Sequence, residues 1–398
     1  MMNANLPADG PRRRQAGFTL VELLVAAMIT VVALSLAVTL LGPTSVAFHA
    51  LPEATDTQQR LRIAAAALTD DIAAAGAGPL LGWGASALPA WPAVLPCRWT
   101  GAPLSSMPGG CARDDAITLV TMPAGAPQGV IAEASGPSSP LKIAPLSACD
   151  PSRPACRLDA GSRAILIDGA GGWDVFVVTS VSADGREIGH EQAPLSRAAR
   201  PGALAGAVEV RAYSLKPDAA SNALQLRRGY GGSSDSPLVD QVTGLSFAYL
   251  AEAAPPMVRA GGSPDDRSTT YGPLPPPVGT DNVDDAWPAG ENCVFRLEGT
   301  RQVSRLEALP PDVYGLATVP IAALNDGPWC PDAASPNRWD ADLLRIRVVR
   351  VALRVQPSSP AVRGVVAGPG SLVLPLDAGR WVPDLEVRFD VALRNRTR

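Results

Sequence analysis

Arg12-Arg13-Arg14-Gln15-Ala16-Gly17-Phe18-Thr19-Leu20-Val21-Glu22-Leu23-Leu24-Val25-Ala26 opens a segment that stays apolar to Leu41. Between Gln15 and Pro52 the only formal charge is Glu22. As a helix, Phe18–Leu41 rises about 36 Å, enough to cross the hydrocarbon core of a bilayer. The arginines lie just ahead of it and hold that end on the cytoplasmic side. A secretory signal fits less well. Its apolar region runs to about 7–15 residues, with a small-residue cleavage site after it. Here the apolar run is longer, and the Gly17-Phe18 junction precedes it. The reading is a single membrane-spanning helix.

The string R-R-R-Q-A-G-F-T-L-V-E-L-L-V-A resembles the class III prepilin leader of type IV pilins and type II secretion pseudopilins. The resemblance implies that a membrane-embedded aspartyl peptidase cuts between Gly17 and Phe18 and then methylates the new Phe18 amine. It also implies that Glu22 is the acidic residue used in subunit assembly. Physical chemistry points the same way, because a lone carboxylate inside a membrane span is expensive and such groups are usually paired. The natural cation is the Phe18 amine of a neighbouring subunit. The competing reading is an interfacial glutamate in a first helical turn, favoured by the helix dipole. By the resemblance, the partners are the prepilin peptidase, other minor and major pilins or pseudopilins, and the inner membrane. The head is then expected in the periplasm.

Gly42-Pro43 predicts a kink or restart, because proline removes a backbone donor. Leu61, Ile63, Ala64, Leu68 and Ile72 then recur at helical spacing, and Gly76 with Gly78-Pro79 ends the pattern. The stretch Q-Q-R-L-R-I-A-A-A-A-L-T-D-D-I-A-A-A-G resembles the stalk helix of W-type minor pilins and J-type pseudopilins. Beyond Pro79 the chain reads as strands between turns: Ala116–Met122, Arg163–Asp168, Trp173–Val181, Ala207–Leu215, Val242–Leu250, Leu343–Val355, Ser371–Leu376 and Leu385–Arg394. The last alternates cleanly. Leu343–Val355 alternates less regularly, and its arginine spacing suggests a bulge near Val348-Val349, with a helix as the runner-up. The phrases V-T-G-L-S-F-A-Y-L, L-L-R-I-R-V-V-R-V-A-L-R-V and F-D-V-A-L-R-N-R resemble the late strands of W-type minor pilins.

The expected fold class is therefore α+β: a long membrane and stalk helix, then a β-rich, antiparallel, disulfide-bonded head. The expected division is a leader at 1–17, the helix at 18–78 and the head at 79–398. Loop insertions are expected at 79–113 and 252–340. No internal repeat and no second independent core is evident.

Composition narrows the chemistry. Of 34 basic residues only Lys142 and Lys216 are lysines, and neither lies in a G-x-x-x-x-G-K-[ST] loop, so a Walker-type nucleotide site is excluded. The two histidines, His49 and His190, argue against His-rich metal sites and against most His-based catalysis. A net charge of −4 argues against nucleic acid as partner. The cysteines are Cys97, Cys111, Cys149, Cys156, Cys293 and Cys330, with no C-x-x-C spacing. They read as structural bridges in an oxidising compartment. Sequence leaves about 15 connectivities open, of which nearest-neighbour pairing is the simplest. Asp281, Asp284, Asp285 and Glu291 lack the calcium-loop order and read as a solvated acidic loop. Gly169-Ala170-Gly171-Gly172 reads as a hairpin turn, and His190 as a surface strand-end residue. No catalytic, cofactor, metal or small-molecule site is expected. The expected function is that of a minor pilin- or pseudopilin-like structural subunit, taking part in the priming or tip complex of a type IV pilus-like filament. The alternatives are a J-type type II secretion pseudopilin and a surface adhesin exported on a pilin leader.

Overall fold

The computed structural model describes residues 17–76, 91–98, 111–123, 126–145, 158–190, 195–231, 234–258, 271–280, 286–312, 315–335, 337–363 and 382–393. The chain divides into two compact units, Met1–Thr55 with Ser359–Pro383, and Asp56–Ser358 with Asp384–Arg398. One helix, α1, runs from Leu20 to Ala74 over 55 residues. It passes through Gly42-Pro43 without a restart, which corrects that part of the sequence expectation. The energies explain it. Proline costs a helix about 3 kcal/mol, whereas a second nucleation at σ of about 10⁻³ costs about 4 kcal/mol. In the first unit, Arg363 also bridges Val382.

The second unit is built from strands in chain order. β1 (Val94–Leu95) and β2 (Ala116–Thr121) come first. Next are β3 (Gln128–Ile131), β4 (Leu141–Pro145), β5 (Arg163–Ile167), β6 (Trp173–Val181), β7 (Glu187–His190) and β8 (Leu204–Ala207). They are followed by β9 (Glu209–Pro217), β10 (Leu224–Gly229), β11 (Asp235–Asp240) and β12 (Val242–Glu252). The last are β13 (Phe295–Glu298), β14 (Arg301–Ser304), β15 (Leu316–Val319), β16 (Trp329–Cys330), β17 (Trp339–Asp340), β18 (Ile346–Val355) and β19 (Leu385–Ala392). A five-stranded sheet has the order β1-β2-β9-β10-β11, and a four-stranded sheet the order β15-β12-β18-β19. Between β2 and β9 the chain forms a closed barrel, β3-β4-β7-β6-β5-β8.

The main core joins the end of α1 to both sheets. Ala64, Leu68 and Ile72 are fully buried with Ile117, Tyr213, Leu226, Tyr249 and Val351. The barrel has a separate core of Ile131, Leu141, Leu166, Phe176, Val178 and Ile188. This second core corrects the expectation of none. β5 carries Ala164 and Leu166 on the barrel side and Ile165 and Ile167 on the main-core side. A strand buried on both faces loses the alternation that reveals strands in sequence.

Two other boundaries differ from expectation. The strand expected at Ala207–Leu215 breaks at Val208, where the chain leaves the barrel for the five-stranded sheet. The strand expected from Leu343 starts at Ile346, after a 3₁₀ turn at Ala341–Arg345. Leu250 pairs with Val348 but Ala251 with Ile346, so the bulge falls at Arg347, beside the expected place. Arg345 is 1% exposed and donates to the carbonyls of Glu252 (2.9 Å), Glu307 (3.1 Å) and Ala253 (3.1 Å). Those carbonyls stop the strand from extending further back. β19 alternates as read from sequence, pairing Phe389 with Val351. The strand expected at Ser371–Leu376 lies outside the described residues.

Candidate functional site

α1 starts directly after Thr19, and its first turn is closed by Thr19 itself. The Thr19 backbone N–H and hydroxyl donate to the Glu22 carboxylate at 2.9 and 3.0 Å, and Glu22 N–H donates back to Thr19 Oγ1 at 3.3 Å. This is a reciprocal capping box, and T-L-V-E carries its S/T-x-x-E signature. The sequence reading weighed Glu22 for assembly and missed this local partner. The bonds draw the carboxylate back toward the N-terminal end, one residue from Phe18. A Cβ added at Gly17 meets nothing within 4 Å among the described residues, so their packing makes no demand for glycine there.

From Leu20 to Val38 the helix is long and apolar enough to cross a membrane. Its large apolar side chains face outward, Phe18 being 88% exposed and Met28 70%. The hydroxyls of Thr30 and Ser35 donate to the carbonyls of Ala26 (2.7 Å) and Val31 (2.9 Å), so they need no water.

Residues 12–38 match the prokaryotic N-terminal methylation motif. The chain carries a type IV pilin-like prepilin leader. Such a leader implies processing by a prepilin peptidase and assembly with other pilins. No curated protein and no solved structure matches the chain.

Further along α1, Asp71 is 5% exposed and accepts from Tyr213 Oη and Arg211 Nη1 on β9, with Arg228 of β10 at 3.7 Å. Burial and the Asp71 carboxylate together push the Tyr213 hydroxyl up. A charged residue in the apolar stripe thereby fixes which face of the helix meets the sheet. The helical spacing of Leu61 to Ile72 carried no sign of this role.

Of the cysteines, Cys293 and Cys330 form a disulfide, with S–S 2.01 Å and Cα–Cα 5.1 Å. Both are fully buried. Cys97 and Cys111 are not bridged in the structure, Cys97 being buried and Cys111 half-buried. The backbone bond from Arg113 N–H to Pro96 O (2.6 Å) holds their segments together. The Cys97 thiol is pushed up by the Cys111 hydrogen bond and by burial, while that same hydrogen bond draws Cys111 down. Cys149 and Cys156 lie outside the described residues.

Other sequence candidates fall away from any shared centre. Asp281, Asp284 and Asp285 lie outside the described residues, and Glu291 is held by Leu297 N–H (3.0 Å) and Arg305. His190 packs edge-on against Phe176 at 5.8 Å between ring centroids, and its Nε2 lies 3.0 Å from Ser139 O. In the Gly169–Gly172 segment, Asp168 accepts from Ala170 (2.9 Å) and Gly172 (2.6 Å), a β5–β6 hairpin turn that needs the positive φ of Gly171. Among the described residues no group of three or more His, Cys, Asp or Glu side chains is placed to hold a metal.

Proposed function

We propose that the chain is a minor pilin- or pseudopilin-like structural subunit that joins the priming or tip complex of a type IV pilus-like filament, with a structural rather than catalytic role. The observation that carries this reading is the methylation motif leading into an apolar helix whose first turn presents Glu22 beside Phe18. Cleavage after Gly17 creates a cation at Phe18. In the low dielectric of a bilayer that amine and a neighbouring subunit's Glu22 attract strongly, because screening is weak. The helix anchors the subunit in the inner membrane, and the head lies in the periplasm. The inserted barrel supports a tip position: a shaft must stack every head against the next, whereas a tip subunit has no neighbour above it.

The test is Glu22→Ala. Membrane insertion survives, since alanine is easier than glutamate to place in lipid, and leader cleavage survives because the scissile bond lies upstream. Incorporation fails, so partner pilins no longer co-purify with the variant. A variant that enters complexes at the wild-type level would show that Glu22 serves only as the cap of its own helix.

A further inference from the structure

The stretch Pro273-Leu274-Pro275-Pro276-Pro277-Val278, between β12 and β13, fixes its own backbone. Each proline ring holds φ at about −65°, and each residue that precedes a proline is driven out of the α region. Leu274, Pro275 and Pro276 all precede one, and the peptide bonds that follow them are trans. Residues 274–277 therefore form a turn of polyproline II helix, which repeats every three residues or about 9 Å. With that period Leu274 and Pro277 share one side. Both are exposed, Leu274 by 40%, and Val278 follows at 42%, whereas Pro273 and Pro275 are buried. The fold fastens the segment by its carbonyls. Asn292 Nδ2 donates to Pro273 O (3.0 Å) and Gln302 Nε2 to Pro276 O (2.7 Å). The Thr280 backbone N–H and hydroxyl both donate to Pro277 O, at 3.1 and 2.6 Å. Among the described residues no donor reaches the carbonyls of Leu274 or Pro275.

We propose that this ridge docks into a groove lined by Trp or Tyr side chains on another protein. Polyproline II segments are recognised in that way, their ring faces and apolar side chains seating between aromatic rings. The ridge is uncharged from Tyr271 to Thr280, so it complements an apolar groove rather than an acidic or basic one. Its three consecutive prolines bring no N–H, so they can accept hydrogen bonds but not donate them. Trp and Tyr supply what remains to be matched, a flat apolar ring with a donor at its edge for the Leu274 and Pro275 carbonyls. Because Asn292, Gln302 and Thr280 already hold the segment, docking orders little new chain. A second copy of this chain does not fit, since Tyr230 is the only exposed aromatic among the described residues of the head. The ridge does not depend on the pilin reading, so either can fail without the other.

The experiment puts a photo-reactive benzophenone side chain in place of Val278, beside the ridge, in the full-length chain in the cells that make it. After irradiation, mass spectrometry maps the cross-link. One discrete adduct with a different protein is expected, attached within a few residues of a Trp or Tyr. It should vanish when Pro275, Pro276 and Pro277 are all replaced by alanine. With that protein purified and the chain in detergent, Leu274→Asp should weaken binding at least about tenfold, as loss of one well-seated apolar anchor does. Gln302→Ala leaves the ridge's own side chains in place and should weaken binding about threefold or more, because docking must then order the segment. Retention of the Cys293–Cys330 bridge and of the melting midpoint reports that each variant is folded. The absence of a discrete adduct, an adduct with a second copy of the chain, or attachment at a surface without Trp or Tyr would overturn the proposal. So would wild-type binding by folded Leu274→Asp.

Discussion

Residue 22 answers two demands with one carboxylate. Within the chain it completes the capping box with Thr19; between chains it is the partner proposed for a cleaved amine. A lone membrane carboxylate is satisfied before any neighbour arrives, which removes part of the cost of inserting it. Gly17 shows the opposite logic, since no described residue lies close enough to ask for it. Gly17→Val should therefore leave the fold intact and the basic leader attached. Mass spectrometry should find wild type beginning at methylated Phe18 and the variant still beginning upstream of it. A variant cleaved as wild type is would remove the glycine requirement.

A third residue, Asp340, sets a pH dependence. It is 2% exposed and accepts from Gly327 N–H (2.7 Å) and Asp342 N–H (2.9 Å). Burial pushes it up to about 7, and nearby Asp342 and Asp326 add to the rise. Because the folded value lies above the unfolded one, this site's contribution is complete below about pH 4 and is lost as pH rises through about 7. Asp340→Asn should flatten the fall in melting temperature between pH 5 and pH 8, whatever it does to the absolute value. An unchanged slope would place the titration elsewhere.

At the scale of elements, α1 and β9 depend on each other through Asp71. Asp71→Ala takes the carboxylate acceptor from the buried Tyr213 hydroxyl and leaves Arg211 with Glu209 alone of its two carboxylates, at a cost of about 3 kcal/mol. Thermal unfolding of the detergent-solubilised chain would read this as a lowered midpoint, partly recovered by pairing it with Tyr213→Phe. A loss within experimental scatter would mean that the apolar contacts of Leu68 and Ile72 suffice. How visible an element is in sequence depends on how many of its faces are buried. β19 buries one face, and its Val387-Arg388-Phe389-Asp390 alternation was legible. β5 buries both, so Arg163-Ala164-Ile165-Leu166-Ile167 showed a strand but not the barrel it helps to close. The Arg347 bulge was half-legible, because an arginine out of step marks the break without saying which residue is skipped.

At the scale of the molecule, two cores lie in one head, and they share β5 and β6. The barrel core is the smaller, so it should open first. Phe176→Ala, removing the largest apolar side chain of that core, costs about 3–5 kcal/mol. Amide exchange should then accelerate most in β3, β4 and β7, while β12 and β18 keep their protection. Uniform acceleration across all five strands would show that the two cores unfold as one. The Cys293–Cys330 bridge spans a separation of 37 residues and contributes about 3–4 kcal/mol by restricting the unfolded chain.

By itself the sequence determined whatever depends on neighbours along the chain. These are the leader motif, the apolar span, the helical spacing of Leu61 to Ile72 and the one-faced strands. Each is a local pattern repeated at the period of its own backbone. Tertiary structure alone decided what depends on residues far apart. It closed the barrel between β2 and β9, turned Asp71 and Arg345 inward to distant partners, and bridged Cys293 to Cys330. The physical reason is that a charge or a sulfur carries no periodicity. Its role is set by whichever group the fold brings within about 3–4 Å, and that group is named nowhere in its local sequence.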